Sequence, residues 1–250
     1  MSPPQYERTK LSNLRHHGGL RTPHGVIRSG VTYRSDNLSN IDGEQAEDLI
    51  NKGIALIIDL RTQAELNRHG RGRLDSSLVG YAHLPIDEID DLRDEVNAAA
   101  VDREIPFTNQ MMGYCYFRML ESNGMQIVKV LENIAATEGA VLFHCAAGKD
   151  RTGLVAASLL TVLGAERAAI IDDFSETNNN FEHLMLRLSN PDKPFDMSGL
   201  AKIGALATAD AEALEHFFAI LAEQETSLLD VLRDARLTPE TENKLVAKHF

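Results

Sequence analysis

Short apolar runs punctuate the first two-thirds of the chain: Ile54 to Ile58, Tyr81 to Leu84 and Ala140 to Phe143. The first and last are unbroken, rich in large aliphatic residues and bounded by glycine or polar residues. That is the pattern of strands buried on both faces of a sheet. The second run stops at Pro85, and Val31-Thr32-Tyr33 predicts one more short strand. Between them the period changes. Asp42 to Lys52 starts acidic, places Ala46, Leu49 and Ile50 at helical spacing and ends against Gly53, so it predicts a helix closed by glycine. Met125 to Ala135 and Leu154 to Leu163 also carry helical spacing, the latter ending at Gly164. Strands alternating with helices predict an α/β fold, a central and mostly parallel sheet flanked by helices.

The remainder is less periodic. Residues 88–112 are acidic and then irregular, and Asn190-Pro191-Asp192-Lys193-Pro194 breaks the chain. Helical patterns follow near Ala209–Glu223, Ser227–Asp234 and Pro239–His249. The last is opened by Thr238-Pro239-Glu240, a cap followed by proline at the first helical position. We read residues 195–250 as a C-terminal helical extension packed on the same domain. Residues 1–250 then form a single domain, which this length accommodates.

Composition narrows the class. Hydrophobic residues are 43% and charged residues 25%, as in soluble globular proteins. No apolar run approaches the roughly 20 residues that span a bilayer, so no stable membrane insertion is expected. The start of the chain shows no basic segment followed by an apolar core, hence no visible signal peptide. Two cysteines, Cys115 and Cys145, make no disulfide framework. A cytoplasmic, reducing location is the expectation. The net charge of −12 argues against nucleic acid and anionic membranes as general partners. It is unevenly spread. Residues 1–73 hold 11 Lys and Arg against 8 Asp and Glu, a balance of +3, and residues 74–250 hold 14 against 29, a balance of −15. A local basic site fits inside such an acidic protein.

The densest chemistry is His144-Cys145-Ala146-Ala147-Gly148-Lys149-Asp150-Arg151-Thr152-Gly153, set between the Ala140–Phe143 strand and the following helix. Backbone N–H groups of such a loop and the helix N-terminus direct positive charge at one spot. That field binds oxyanions such as phosphate or sulfate and favours thiolate over thiol. Cys145 is the candidate nucleophile for covalent phosphoryl transfer. The amides of Ala146, Ala147, Gly148, Lys149, Asp150 and Arg151, with the side-chain fork of Arg151, are candidate donors to the phosphoryl oxygens. Gly148 permits close backbone approach, and Thr152 can offer a hydroxyl to the departing thiolate. A buried structural cysteine in a βα turn is the plain alternative. The full combination of His, Cys, Gly, Arg, Thr and Gly at these spacings disfavours it.

This motif resembles the signature of the cysteine-dependent protein-tyrosine phosphatases. Gly148-Lys149-Asp150-Arg151 resembles a bacterial and fungal branch that includes tyrosine, dual-specificity and phosphoinositide phosphatases. The likeness extends to Asn13-Leu14-Arg15, Gly18-Gly19, Tyr33-Arg34-Ser35 with Leu38, Asp59-Leu60-Arg61-Thr62 with Glu65, Asp173-Phe174, Thr177-Asn178 and Leu228 to Leu232. It implies hydrolysis of phosphomonoesters on phosphorylated protein or phosphoinositide through a phosphocysteine, with no cofactor and no metal. His16-His17 depart from the branch, where an acidic and an apolar residue are usual, which puts a supporting ion pair there in question. The chain has no tryptophan, so it has no Trp-Pro-Asp acid loop. The branch's use of an aspartate inside the loop implies Asp150 as general acid, with Asp87 as second candidate and a purely structural Asp150 as the alternative. Lys149 in this superfamily often accompanies phosphoinositide substrates, although lipid phosphatases usually carry more basic loops than Ala146 and Ala147 provide. Family likeness also suggests a helical lid in 88–112, against a plain surface insertion.

Weaker signals remain open. Arg68, Arg71 and Arg73 could read a second phosphate or lie on a solvated loop. Met111, Met112, Tyr114, Tyr116 and Phe117 read as packing residues rather than a substrate platform. His16, His17 and His24 lack the carboxylate or cysteine frame of a metal site. Cys115 could pair with Cys145 but reads better as a plain buried thiol. The rival functions are a rhodanese-like sulfurtransferase and a non-catalytic phosphate-binding module. Composition leaves the oligomeric state open.

Overall fold

In a computed structural model that describes residues 10–74, 78–87, 107–188 and 204–250, seven strands form among the described residues. They are β1 (Arg15–His16), β2 (Arg21–Thr22), β3 (Gly25–Val26), β4 (Thr32–Ser35), β5 (Ile54–Asp59), β6 (Gly80–His83) and β7 (Ala140–His144). Five make one sheet in the order β1-β4-β7-β5-β6, while β2 and β3 pair separately. β1 runs antiparallel to β4, and every other neighbour in the sheet is parallel. The mostly parallel α/β sheet expected from the sequence is what forms. The central β7 shows why its run is continuously apolar. Ala140 and Leu142 enter one hydrophobic cluster with Tyr33, Leu38, Ile41 and Leu49, while Val141 and Phe143 enter the other. Successive side chains point to opposite faces, and both faces are covered.

The helices are α1 (Gly43–Asn51), α2 (Gln63–His69), α3 (Asn109–Ala136), α4 (Asp150–Val162), α5 (Arg167–Ser175), α6 (Phe181–Leu188), α7 (Ala211–Glu223), α8 (Leu228–Asp234) and α9 (Pro239–His249). A 3-10 turn, Glu176–Asn180, joins α5 to α6. α1 is capped by Asp42, whose side chain accepts from the Gln45 amide. α9 starts as its sequence predicts, with Thr238 as cap and Pro239 in the first turn. α7 and α9 pack on α3, and α8 packs on α3 and α4.

α3 is the main departure from expectation. The periodicity predicts a helix from Met125, whereas α3 begins at Asn109, sixteen residues earlier, capped by Thr108. Its buried stripe runs through Met112, Tyr116, Leu120, Asn123, Ile127, Leu131 and Ile134, so the helical spacing is continuous. Gly113, Asn123 and Gly124 obscure it. Gly113 is required by packing, since a Cβ there would lie 2.6 Å from the His216 Cβ and 2.8 Å from the Ala213 carbonyl; helix α7 crosses α3 at that point. Of the segment 88–112, residues 109–112 therefore belong to the first turn of α3, and 88–106 lie outside the described residues, as does Asn190 to Pro194.

Candidate active site

The parallel register aligns Ser35, Asp59 and His144, the last residues of β4, β5 and β7. Cys145 follows His144 at this carboxyl edge, where open α/β sheets place their ligands, and α4 begins at Asp150. The loop between them is held from outside through its carbonyls. The Asn37 amide donates to Ala146 O at 2.9 Å. Asn13 Nδ2 donates to Ala147 O and Gly148 O at 3.1 and 2.9 Å, and Arg34 Nη2 donates to Gly148 O at 2.8 Å. With the carbonyls engaged, the amides of Ala146 to Asp150 donate to no group among the described residues. A run of unspent N–H donors beside a helix N-terminus is an arrangement suited to an anion. Gly148 has φ +68°, and a Cβ there would sit 2.5 Å from Ser35 O, so this turn admits glycine alone.

Arg34 is itself anchored. It is fully buried, and its Nη1 donates to Asp173 Oδ2 at 2.5 Å. Arg15 Nε meets Asp173 Oδ1 at 3.2 Å, and its Nη2 donates to the Asp173 carbonyl at 2.7 Å. One carboxylate on α5 thus holds two guanidiniums beneath the loop. The ion pair put in question by His16-His17 is therefore supplied by Arg15, Arg34 and Asp173. His17 packs flat against Phe143, with ring centroids 5.9 Å apart.

Cys145 is a buried free thiol. Beside it His144 is fully buried, with Nδ1 3.1 Å from the Cys145 carbonyl oxygen. Burial pushes its imidazole down and outweighs the pull of Asp59, so the ring is neutral. Asp59 lies 3.8 Å from His144 Nε2, pairs with Arg61 at 2.6 Å and accepts from the Tyr81 hydroxyl at 2.8 Å. The Thr152 Oγ1 is buried and makes no hydrogen bond among the described residues, that to a cysteine sulfur included.

The largest omission of the sequence reading is the role of Glu65. Its Oε2 and Oε1 receive Arg151 Nη1 and Nη2 at 2.6 and 2.9 Å, a bidentate pair that fixes the plane of the guanidinium. Glu65 is third in α2 and also accepts from the Thr62 amide at 2.8 Å, closing a capping box. The sequence shows Glu65 only as part of the family likeness; its partner Arg151 is 86 residues away.

The other candidates separate. Lys149 is buried and donates to Leu206 O at 2.6 Å and Thr208 O at 3.3 Å, with Asp150 Oδ1 at 3.3 Å. Its ammonium is engaged by main-chain carbonyls rather than presented to the loop's interior. Asp150 Oδ1 accepts from the Tyr116 hydroxyl at 2.7 Å. Asp87 is exposed, and its main chain is clamped to Asn123 at both N and O. Arg71 lies 4.7 Å over the Tyr81 ring, while Arg68 and Arg73 are exposed. Met112, Tyr116 and Phe117 are core residues, whereas Tyr114 is exposed. Cys115 is buried, in no disulfide, and lines a cavity of about 370 Å³ with Met111 and His216. His16 and His24 face Tyr33 and Phe250. Among the described residues no group of three His, Cys, Asp or Glu could hold a metal ion, and no helix is long and apolar enough to cross a membrane.

These pairings predict acid sensitivity in two stages. Burial holds His17 and His249 down to about 4, below the ordinary value near 6.5. The unfolded chain therefore binds protons first, and stability falls as pH drops from about 6.5 to about 4. Burial raises the carboxyls of Asp59 and Glu65, but Arg61 and Arg151 outweigh it and bring both to about 2. Their stabilisation is present above the unfolded value near 4 and is lost as pH falls through about 2. Urea midpoints should decline steadily from pH 7 to 4.5 and then faster; a flat profile to pH 4.5 would contradict the histidine assignment.

The tyrosine phosphatase family matches this chain over residues 6–249. The chain is similar to "Triple specificity protein phosphatase PtpB" of Mycobacterium tuberculosis, 28% identical over 88% of this chain and 91% of that protein. It is 29% identical to "Tyrosine-protein phosphatase" of Nostoc commune over 60% of this chain and 49% of that one. A crystal structure of TpbA from P. aeruginosa aligns with TM-score 0.38 and 17% identity, covering 72% of this chain and 86% of that one.

Proposed function

The chain belongs to the tyrosine phosphatase family, and we propose that it hydrolyses phosphotyrosine in proteins through a phosphocysteine on Cys145. The observation that carries this reading is the loop itself. Its carbonyls are turned to Asn13, Arg34 and Asn37, its amides donate to no group among the described residues, and the Arg151 guanidinium is held flat by Glu65. The Cys145 sulfur attacks phosphorus, the S–P bond forms and the P–O bond to the tyrosyl oxygen breaks. Asp150 gives its proton to that oxygen. Water then attacks phosphorus, Asp150 takes the water's proton, the S–P bond breaks and phosphate leaves. The loop amides and Arg151 hold the three equatorial oxygens throughout.

The acid assignment has a direct check. Asp150→Asn should lower kcat about a hundred-fold on alkyl or phenyl phosphates, within the usual range for general acids, and far less on aryl phosphates with good leaving groups. If Asp87→Asn gives that pattern and Asp150→Asn does not, the acid is Asp87. The substrate class is decided by phosphate release across phosphotyrosine, phosphoserine and phosphothreonine peptides, phosphoinositides and soluble inositol phosphates. We expect phosphotyrosine peptides to lead. Lys149 supports that order over phosphoinositides, because its ammonium is already engaged with Leu206 O and Thr208 O. Sulfur transfer to cyanide without phosphate release would favour the sulfurtransferase reading instead.

A further inference from the structure

We infer that Tyr116 is a positioning residue that decides which oxygen of Asp150 carries the transferable proton. The inference rests on the reading of Asp150 as the acid. Tyr116 sits on α3, outside the loop, and its hydroxyl donates to Asp150 Oδ1 at 2.7 Å. Lys149 Nζ approaches the same oxygen at 3.3 Å. Oδ1 is therefore taken by two donors, and Oδ2 has no partner among the described residues. A carboxyl group whose one oxygen accepts from two donors keeps its proton on the other. Tyr116 can keep this bond in both states of the cycle, because Oδ1 accepts as a carboxylate oxygen and, more weakly, as the carbonyl oxygen of the acid.

The phenol is suited to a fixed donor role. Burial, and then the charge of Asp150, hold it well above its ordinary value, so it stays protonated. Its ring meets Phe174 edge-on at 5.7 Å, and the Phe174 ring lies against Gly153, where a Cβ would come within 2.9 Å of it. Lys149 is tied in turn to Leu206 O and Thr208 O. Asp150 is thus aimed from two directions, by α3 and by the segment that precedes α7. The acid in the loop depends on packing contributed by chain far from the loop.

Tyr116→Phe removes the hydroxyl and keeps the ring, and Tyr116→Met removes both. We expect Tyr116→Phe to lower kcat about ten-fold on phenyl and alkyl phosphates, the lower end for a hydrogen bond to a charged group. KM and inhibition by inorganic phosphate should hold, and aryl phosphates with good leaving groups should change little. In the Asp150→Asn background the same change should have no further effect. Equal losses across leaving groups, or losses that multiply with Asp150→Asn, overturn the positioning role. So does unchanged kcat in Tyr116→Phe when Asp150→Asn is itself impaired. If Asp150→Asn shows no leaving-group dependence, the acid reading fails first, which separates the two. Should Tyr116→Phe lose phosphate inhibition, Tyr116→Met and the kcat of both variants across leaving groups decide by the same criteria.

Discussion

Cys145→Ser is expected to lower phosphate release by at least about 10⁴-fold, or about 5.4 kcal/mol of barrier, while inorganic phosphate binds nearly as before. Two steps suffer together. A serine hydroxyl stays protonated where a thiol ionises, so attack on phosphorus lacks its anion. Any phosphoserine formed must then expel an alkoxide rather than a thiolate. Binding should survive, because the groups proposed to grip phosphate, the amides of the loop and the Arg151 fork held by Glu65, are not altered. The measurement is kcat on an aryl phosphate, paired with calorimetric titration of phosphate. Near wild-type turnover would remove Cys145 from the mechanism. Loss of phosphate binding along with activity would mean that the thiol shapes the loop as well as attacking from it.

Local chemistry was legible in the chain and distant pairing was not. The strand at 140–144, the turn at 145–149 and the helix after it follow from a short apolar run, a glycine and an apolar helix in series. They therefore emerge close to where periodicity puts them. The C-terminal helices follow equally well, because their caps are written in adjacent residues such as Ser227 and Thr238. The first half of α3 was hidden by Gly113, whose purpose is the crossing helix α7. The same distinction governs the site. Cys145 and Arg151 announce themselves by spacing, whereas Glu65, Arg34, Asp173 and Tyr116 act across 34 to 139 residues. Nothing in their own neighbourhoods says which group each will meet. Lys149 belongs with them, because its ammonium meets the Leu206 and Thr208 carbonyls, which only the fold brings near.

Asp173→Ala tests that distant support, and we expect it to cost about 3–5 kcal/mol of stability, the usual result of removing one partner of a buried pair. Here the removal takes the carboxylate from two cations, of which Arg15 keeps Glu176 at 3.9 Å. Arg34 has no exposed side-chain surface, so it cannot turn to water for compensation. For a domain of this size the loss corresponds to a fall in Tm of about 6–20 °C. Activity should fall too, because Arg34 also carries the Gly148 carbonyl that turns the loop. Adding Arg34→Met to Asp173→Ala should restore part of the stability, since an absent pair costs less than a broken one. It should not restore activity, because Gly148 O then keeps only Asn13 Nδ2 of its two donors and the turn of the loop loosens. A Tm within 2 °C of wild type for Asp173→Ala would show that water reaches these guanidiniums and that the loop stands without them. Recovery of stability without recovery of turnover would instead separate the two tasks of Arg34, neutralising a buried carboxylate and holding the phosphate loop in shape.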